Sequence, residues 1–297
     1  MILLNSTQMA EFVSQGVLIF PSVIDKDINT KFLSLFDLDQ DSKDLNKTQA
    51  APIYNEFDKT IGGPPGLELF KTFKNTIIND ILQKNEIKGA IKSLVGENPI
   101  YDHHAFHFCP PKMLNAQNNH QDSTIDPRKN EFDIQLFYFP HQVTKDMGGT
   151  RYIPSSHLSY VHNFDIARYQ NIKGQKSVVC DAGTVIIMHH GIWHGGGRNM
   201  SNEPRLMFKL RIQPSIKQEL LWDTNDLTKE RIKNWNRPIF GASLRNNDDP
   251  IPGILTKSNP YFDNDDRIIY INRLKLWRYI LGNPEIDVDY WLTRIKI

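Results

Sequence analysis

The chain has 297 residues, with 35 lysines and arginines against 34 aspartates and glutamates and only two cysteines. That length can bury a sizeable core, and a net charge of +1 provides no overall field to draw in nucleic acid or an anionic membrane. No stretch is apolar for the length of a membrane span. The opening Met1-Ile2-Leu3-Leu4 reaches Asn5 and Glu11 too soon for a secretory leader. Cys109 and Cys180 read as free thiols, so the expected setting is the cytoplasm.

Residues 7–36 read as a helix, a short strand Val17–Phe20 bracketed by Gly16 and Pro21, and a second helix. Asp37 to Lys47 is polar and reads as a loop; Gly62, Gly63, Pro64, Pro65 and Gly66 then interrupt the chain. Leu67, Phe70, Phe73, Ile77 and Ile81 carry helical spacing onward to Val95. From Ile100 the texture changes to short strands separated by turns: Tyr101 to Phe108, Phe132 to Phe139, Ser177 to Val179, Thr184 to His190 and Leu206 to Ile212. Strands so spaced, without a regular helix between each pair, predict an antiparallel barrel or jelly roll rather than a parallel sheet. Beyond Pro214 come Trp222, Trp235, Trp277 and Trp291 and a helix over Asn272 to Leu281. This extension reads as a cover for the barrel or a contact between subunits of a homo-oligomer. The expected organisation is one domain over 1–297, mainly β with flanking helices: a helix-rich part over 1–99, a jelly-roll core over 100–214 and an extension over 215–297.

Three signals bear on chemistry. In His120-Gln121-Asp122 the first and third residues of an extended segment point to one side, so an imidazole and a carboxylate can converge on one ion. With ten histidines in the chain, a solvated loop histidine is the plain alternative. Gly183 to His194 reads as a buried strand running into a Gly-rich turn, with His194 at the strand's end and His189 and His190 as rivals, one of them a core or supporting histidine. Two imidazoles and one carboxylate on one face of a metal leave positions open, which suits iron(II) better than a closed structural zinc site. Arg205 follows His194 across the turn from Gly195 to Pro204 and opens the next strand. Its guanidinium could grip a carboxylate through two parallel hydrogen bonds, or form a surface salt bridge.

His120-x-Asp122, Gly148-Gly149-Thr150 running to Pro154-Ser155-Ser156-His157, and His194-Gly-Gly-Gly-Arg-Asn199 followed by Arg205 together resemble the phytanoyl-CoA dioxygenase family of 2-oxoglutarate oxygenases. The resemblance runs from about Tyr101 to Ile212 and implies a double-stranded β-helix, the cupin-like jelly roll. It implies iron(II) held by His120, Asp122 and His194, and a 2-oxoglutarate cosubstrate whose distal carboxylate meets Arg205. It further implies contacts to the cosubstrate from Gln117, Thr150 and Tyr138, with O₂ as the oxidant and a small organic substrate hydroxylated as succinate and CO₂ are released. Pro-Ser-Ser-His departs from the family's Pro-Gly-Ser-His, and His157 reads as a residue tying down a loop. Asp122 disfavours halogenation, for which the carboxylate gives way to a small residue.

The last strand alternates Arg205, Met207, Lys209 and Arg211 with Leu206, Phe208, Leu210 and Ile212. If Lys209 or Arg211 reached the cavity, a polar or anionic substrate would be favoured; the expectation is that both lie at the barrel's far end and meet solvent. On the strand before His120, Tyr101, His103, Ala105 and His107 are expected on one face. Two other classes share parts of the pattern. A catalytically silent ligand-binding barrel has little need of the full set, and a metal-dependent non-oxidative enzyme has no need of Arg205 or Thr150.

Overall fold

The computed structural model describes residues 1–34, 77–122, 130–162, 166, 169, 171–235, 249–257, 266–282 and 287–288. The loop at Asp37 to Lys47, the Gly/Pro run at 62–66, the helical spacing over 67–76, Trp291 and the side chains of 102–106 lie outside the described residues.

Helix α1, Ser6–Gln15, starts at a capping box in which the Asn5 side chain accepts from the Gln8 amide and the Gln8 side chain accepts from the Asn5 amide. It stops at Gly16, whose φ of 72° is a left-handed turn. Gly16 also lies so close to the next layer that a Cβ there would sit 2.5 Å from His157 Nδ1. The chain then forms β1, Val17–Phe20, and α2, Lys26–Leu33. The apolar spacing continuing to Val95 resolves into two helices, α3 at Ile77–Leu82 and α4 at Asn85–Val95.

Next come β2, Ile100–Cys109; β3, Ile134–Phe139; β4, Thr150–Tyr152; β5, Lys176–Ser177; β6, Thr184–His189; β7, His194–Gly196; and β8, Arg205–Gln213. They form two antiparallel sheets, one of five strands in the order β1-β6-β3-β8-β2 and one of three in the order β5-β4-β7. This is the predicted fold class, a double-stranded β-helix with flanking helices.

The larger sheet is buried on both faces, which is why β3 and β6 read as unbroken apolar runs rather than as alternation. One face, carrying Ile134, Leu136, Tyr138, Ile187, Phe208 and Leu210, packs on the helices through Phe12, Phe32, Ile78 and Leu94. The other, carrying Phe137, Phe139, Ile186 and Met188, packs on Val143, Met147, Tyr152 and Val178 from the smaller sheet and its loops. The expected alternation along β2 is interrupted. A register shift between Tyr101 and His104 turns Tyr101 to the helix-side core together with Phe108, whereas His107 lines the opposite cavity. An extra residue in one strand reverses the facing of everything beyond it.

The extension contributes α5, Lys229–Trp235; α6, Pro250–Leu255; and α7, Asp266–Ile280. Trp277 lies between Trp222 and Trp235, with ring centroids 5.8 and 6.4 Å away. Trp222 donates to Ser6 Oγ at 3.0 Å, and Asn272 donates to the Leu158 carbonyl at 2.8 Å. These three tryptophans are buried within the chain itself and need no second subunit to cover them. Because one apolar cluster includes residues of all three regions, we propose that they fold as a single domain.

His157 and His189 lie in the core between α1 and β6, ring centroids 4.6 Å apart. His157 donates to the Val13 carbonyl at 3.1 Å, the loop tie expected of it. Burial pushes His157 down to about 3 and His189 well below its ordinary value. Both are therefore neutral in the folded protein and protonate in the unfolded chain near pH 6.5. The unfolded chain binds more protons as pH falls, so the stability they contribute is full above about pH 6.5 and is lost progressively below it, for His157 down to about pH 3. Urea unfolding at pH 7.5 and 5.0 is expected to show a loss of about 1 kcal/mol per pH unit for each group, with a shallower slope in His157→Gln; a midpoint independent of pH would contradict this account.

Candidate active site

His194 does not end the long strand. Strand β6 stops at His189, and His194 opens β7 after a turn. There it pairs with Tyr152 of β4 on one side and with His120 on the other. The bridge to His120 is closed by two backbone hydrogen bonds, His120 N to His194 O at 2.8 Å and His194 N to His120 O at 2.9 Å. Directly opposed residues bring their side chains together, and the two imidazoles lie 4.6 Å apart.

The same device orients both rings. His120 Nδ1 donates to the Asn118 carbonyl at 2.9 Å and His194 Nδ1 to the Ile192 carbonyl at 3.0 Å. Each Nδ1 thus holds the proton and each Nε2 keeps its lone pair for the space between the rings. Asp122, two residues beyond His120, enters that space: its Oδ1 is 3.4 Å from His120 Nε2 and its Oδ2 is 3.3 Å from His194 Nε2. The three ligand atoms lie within 4.8 Å of one another. Burial raises the Asp122 carboxyl, but its polar surroundings, the Lys209 ammonium in contact with it among them, outweigh that and hold it well below the usual carboxylate range. Burial also lowers His194, which Asp122 partly offsets. An anionic carboxylate and lone-pair-bearing imidazoles fit a divalent metal of the iron type, with one side open to the cavity.

Arg205, Gln117 and Thr150 line that cavity together with the three candidate ligands. The guanidinium of Arg205 is buried, and its Nη1 donates to the carbonyls of Met147 and Gly148. Those carbonyls lie at the start of the Gly-Gly-Thr segment, one just before it and one on its first glycine. Gly148 there has φ +62° and lies so near the His194–Asn199 loop that a Cβ would fall 1.7 Å from the Arg198 carbonyl oxygen. Gln117 Oε1 accepts from the Gly196 amide at 3.0 Å, which leaves its amide NH₂ for a ligand. Among the described residues the Thr150 hydroxyl makes only a weak 3.5 Å contact to Met207 Sδ.

Tyr138 is a correction. It lies on the helix-facing side of β3, its hydroxyl donating to Asn29 Oδ1 at 2.6 Å and its ring edge-on to Phe32. Side chains alternate along a strand, so the residue of β3 that reaches the cavity is Phe137. Lys209 is a second correction: it does not meet solvent but lies buried in the cavity, its ammonium on Asp122. Arg211 pairs instead with Asp133 at 2.6 Å. The alternation of β8 was the signal for Lys209, since it shares a face with Arg205. His107 was masked as a cavity residue by the irregularity in β2. Of the rivals to His194, His189 stacks on Phe132 in the core. His190, buried nearby, is pushed down to about 3 by that burial.

Two sheets of a jelly roll enclosing a His-Asp-His cluster, with a buried arginine on the next strand in the chain, define the class of non-haem iron oxygenases that use a 2-oxo acid. The chain belongs to the phytanoyl-CoA dioxygenase family, whose sequence pattern matches residues 44–207, more than half of its length. It is accordingly a non-haem iron, 2-oxoglutarate-dependent enzyme. No curated protein sequence matches it significantly. Similar solved structures include the non-heme alpha-ketoglutarate-dependent carbocyclase SnoK from nogalamycin biosynthesis, at 17% identity over 71% of this chain and 85% of that one, TM-score 0.50. HygX from Streptomyces hygroscopicus, solved with nickel and 2-oxoglutarate bound, has 15% identity over 76% and 94%, TM-score 0.52. AviO1 from Streptomyces viridochromogenes Tue57 has 17% identity over 72% and 97%, TM-score 0.52. At these identities the likeness is one of fold.

Tyr138→Phe separates the two placements of that residue. Loss of the buried hydroxyl is expected to cost about 1 kcal/mol in urea unfolding by leaving Asn29 Oδ1 without its donor, while 2-oxoglutarate affinity measured by calorimetry stays unchanged.

Proposed function

We propose that the chain hydroxylates a C–H bond of a compact organic substrate, with 2-oxoglutarate and O₂ consumed and succinate and CO₂ released. The observation that carries this reading is the convergence of His120, Asp122 and His194 in one cavity with a buried arginine. Iron(II) held by these three residues supplies the oxygen-activating chemistry when 2-oxoglutarate is bound.

The remaining work belongs to the chain's own side chains. Asn118 and Ile192 carbonyls hold His120 and His194 in the tautomer a metal requires. Arg205 uses Nη1 to anchor itself, and its Nη2 makes no hydrogen bond to the described residues. That edge offers the distal carboxylate of 2-oxoglutarate a charge-assisted hydrogen bond. The Gln117 amide and Thr150 hydroxyl stand beside it and complete the cosubstrate's seat. Phe137 and Met207 give the cavity its apolar wall, which limits water near the reacting centre. Among the described residues no helix is long and apolar enough to cross a membrane. The proposed setting is the reducing cytoplasm, where the free thiols Cys109 and Cys180 and a ferrous ion both persist.

Anaerobic addition of iron(II) and 2-oxoglutarate to metal-free protein is expected to give the weak visible charge-transfer band of a chelated 2-oxo acid. His120→Ala should abolish the band. Arg205→Ala should raise the 2-oxoglutarate concentration needed for half-maximal absorbance by roughly tenfold or more, the loss expected for one charge-assisted carboxylate contact. Folded, metal-loaded wild-type protein that gives no band would move the assignment to a non-oxidative metal enzyme on the same fold.

A further inference from the structure

The cavity holds a cation that the iron and 2-oxoglutarate reading leaves unused. Lys209 points inward from β8 on the face it shares with Arg205 and Met207. It is 6% exposed, which removes solvent as the partner of its ammonium. Its Nζ rests on Asp122 and stands 5.8 Å above the Phe137 ring. Arg211, the next cation on that face, is matched by Asp133. Lys209 shares its only described carboxylate with the metal.

Charge balance sharpens the point. Among the described cavity residues, Arg205 and Lys209 carry one positive charge each against the single negative charge of Asp122. A ferrous ion brings two positive charges and 2-oxoglutarate two negative ones. A buried excess of one positive charge therefore remains, an expensive arrangement unless a counter-charge arrives. A second polar group waits on the same wall. His107 is paired with Met207 and Ala105 with Lys209 across β2 and β8, so His107 and Lys209 are diagonal neighbours at the cavity. Among the described residues the covered Nε2 of His107 has no hydrogen-bond partner, and its ring is neutral because burial, with Lys209 adding to it, pushes it down to about 3.

We propose that Lys209, with His107 beside it, is the specificity-determining contact of the enzyme, and that it receives a carboxylate on the substrate to be oxidised. This rests on the iron and 2-oxoglutarate reading of the site. It also orients the reaction. The Asp122 oxygen that Lys209 touches lies 3.3 Å from His194 Nε2, so a carboxylate on Lys209 sits beside the metal position. The oxidised carbon is then within a few bonds of the acid group.

The test uses the full chain loaded anaerobically with iron(II) and 2-oxoglutarate. Propionate, butyrate and benzoate are titrated in by calorimetry, each against its primary amide, in wild type, Lys209→Met and Lys209→Gln. The charge-transfer band is recorded in parallel. The acids are expected to bind and the amides not, and both variants should weaken acid binding by roughly tenfold or more while the band is kept. Three results would overturn the proposal: amides binding as tightly as acids, acids binding the variants as tightly as wild type, or no acid binding at all. Loss of the band in the Lys209 variants would also overturn it, by assigning the lysine to the cosubstrate. Absence of the band in wild type takes down the iron and cosubstrate reading itself, a failure distinct from a normal band without acid preference.

Discussion

The site depends on one short antiparallel bridge. His120 and His194 exchange both of their backbone hydrogen bonds, and each ring returns its Nδ1 proton to a carbonyl two residues earlier in its own chain. Four hydrogen bonds thereby fix the separation, tilt and tautomer of two imidazoles before any metal arrives. Preorganisation of this kind is what allows a three-residue ligand set to hold a metal while leaving coordination positions for other ligands. Asp122 completes the set because it lies two residues from one member of the bridge. Its carboxylate meets both imidazole nitrogens without a further structural element.

The bridge is held in place by a sheet whose two faces do different things. The helix-facing side of β3 and β8 is apolar save for the Tyr138 hydroxyl and continuous with α1 to α4 and the tryptophans of the extension. The opposite side carries Arg205, Lys209 and the surroundings of the His-Asp-His cluster. Burying a guanidinium, an ammonium and a carboxylate costs free energy that the polar cluster does not recover alone. The large apolar face supplies the compensating burial. The same strand residues therefore serve stability and chemistry in alternation, and a single bulge, as in β2, reassigns side chains between the two.

Legibility followed the range of the interaction. The alternation of β8 and the apolar runs of β3 and β6 are local and could be read directly. The candidate ligands came instead from the resemblance of their motifs; only Arg205 is constrained locally, by the short turn from Gly195 to Pro204 that follows His194. Tyr138 was misplaced because a strand buried on both faces has no polar side to reveal which residues point to the cavity, and its hydroxyl found Asn29 in a helix 109 positions away. Lys209 was misplaced for the converse reason: a lysine is ordinarily a solvent residue, and only the position of Asp122 across the cavity makes burial tolerable.

By itself the amino-acid sequence determined the class of fold and, through motifs that resemble the phytanoyl-CoA dioxygenases, the family; the candidate set His120, Asp122, His194 and Arg205 came with that resemblance, since residue type and spacing alone left His189 and His190 as rivals to His194. Tertiary structure alone decided which side of each doubly buried strand faces the cavity, that β6 ends before His194, that a register shift in β2 turns His107 inward, and that the tryptophans of the extension pack on α1. Those outcomes arise from pairings between segments far apart in the chain, whose energies are not written in any one of them.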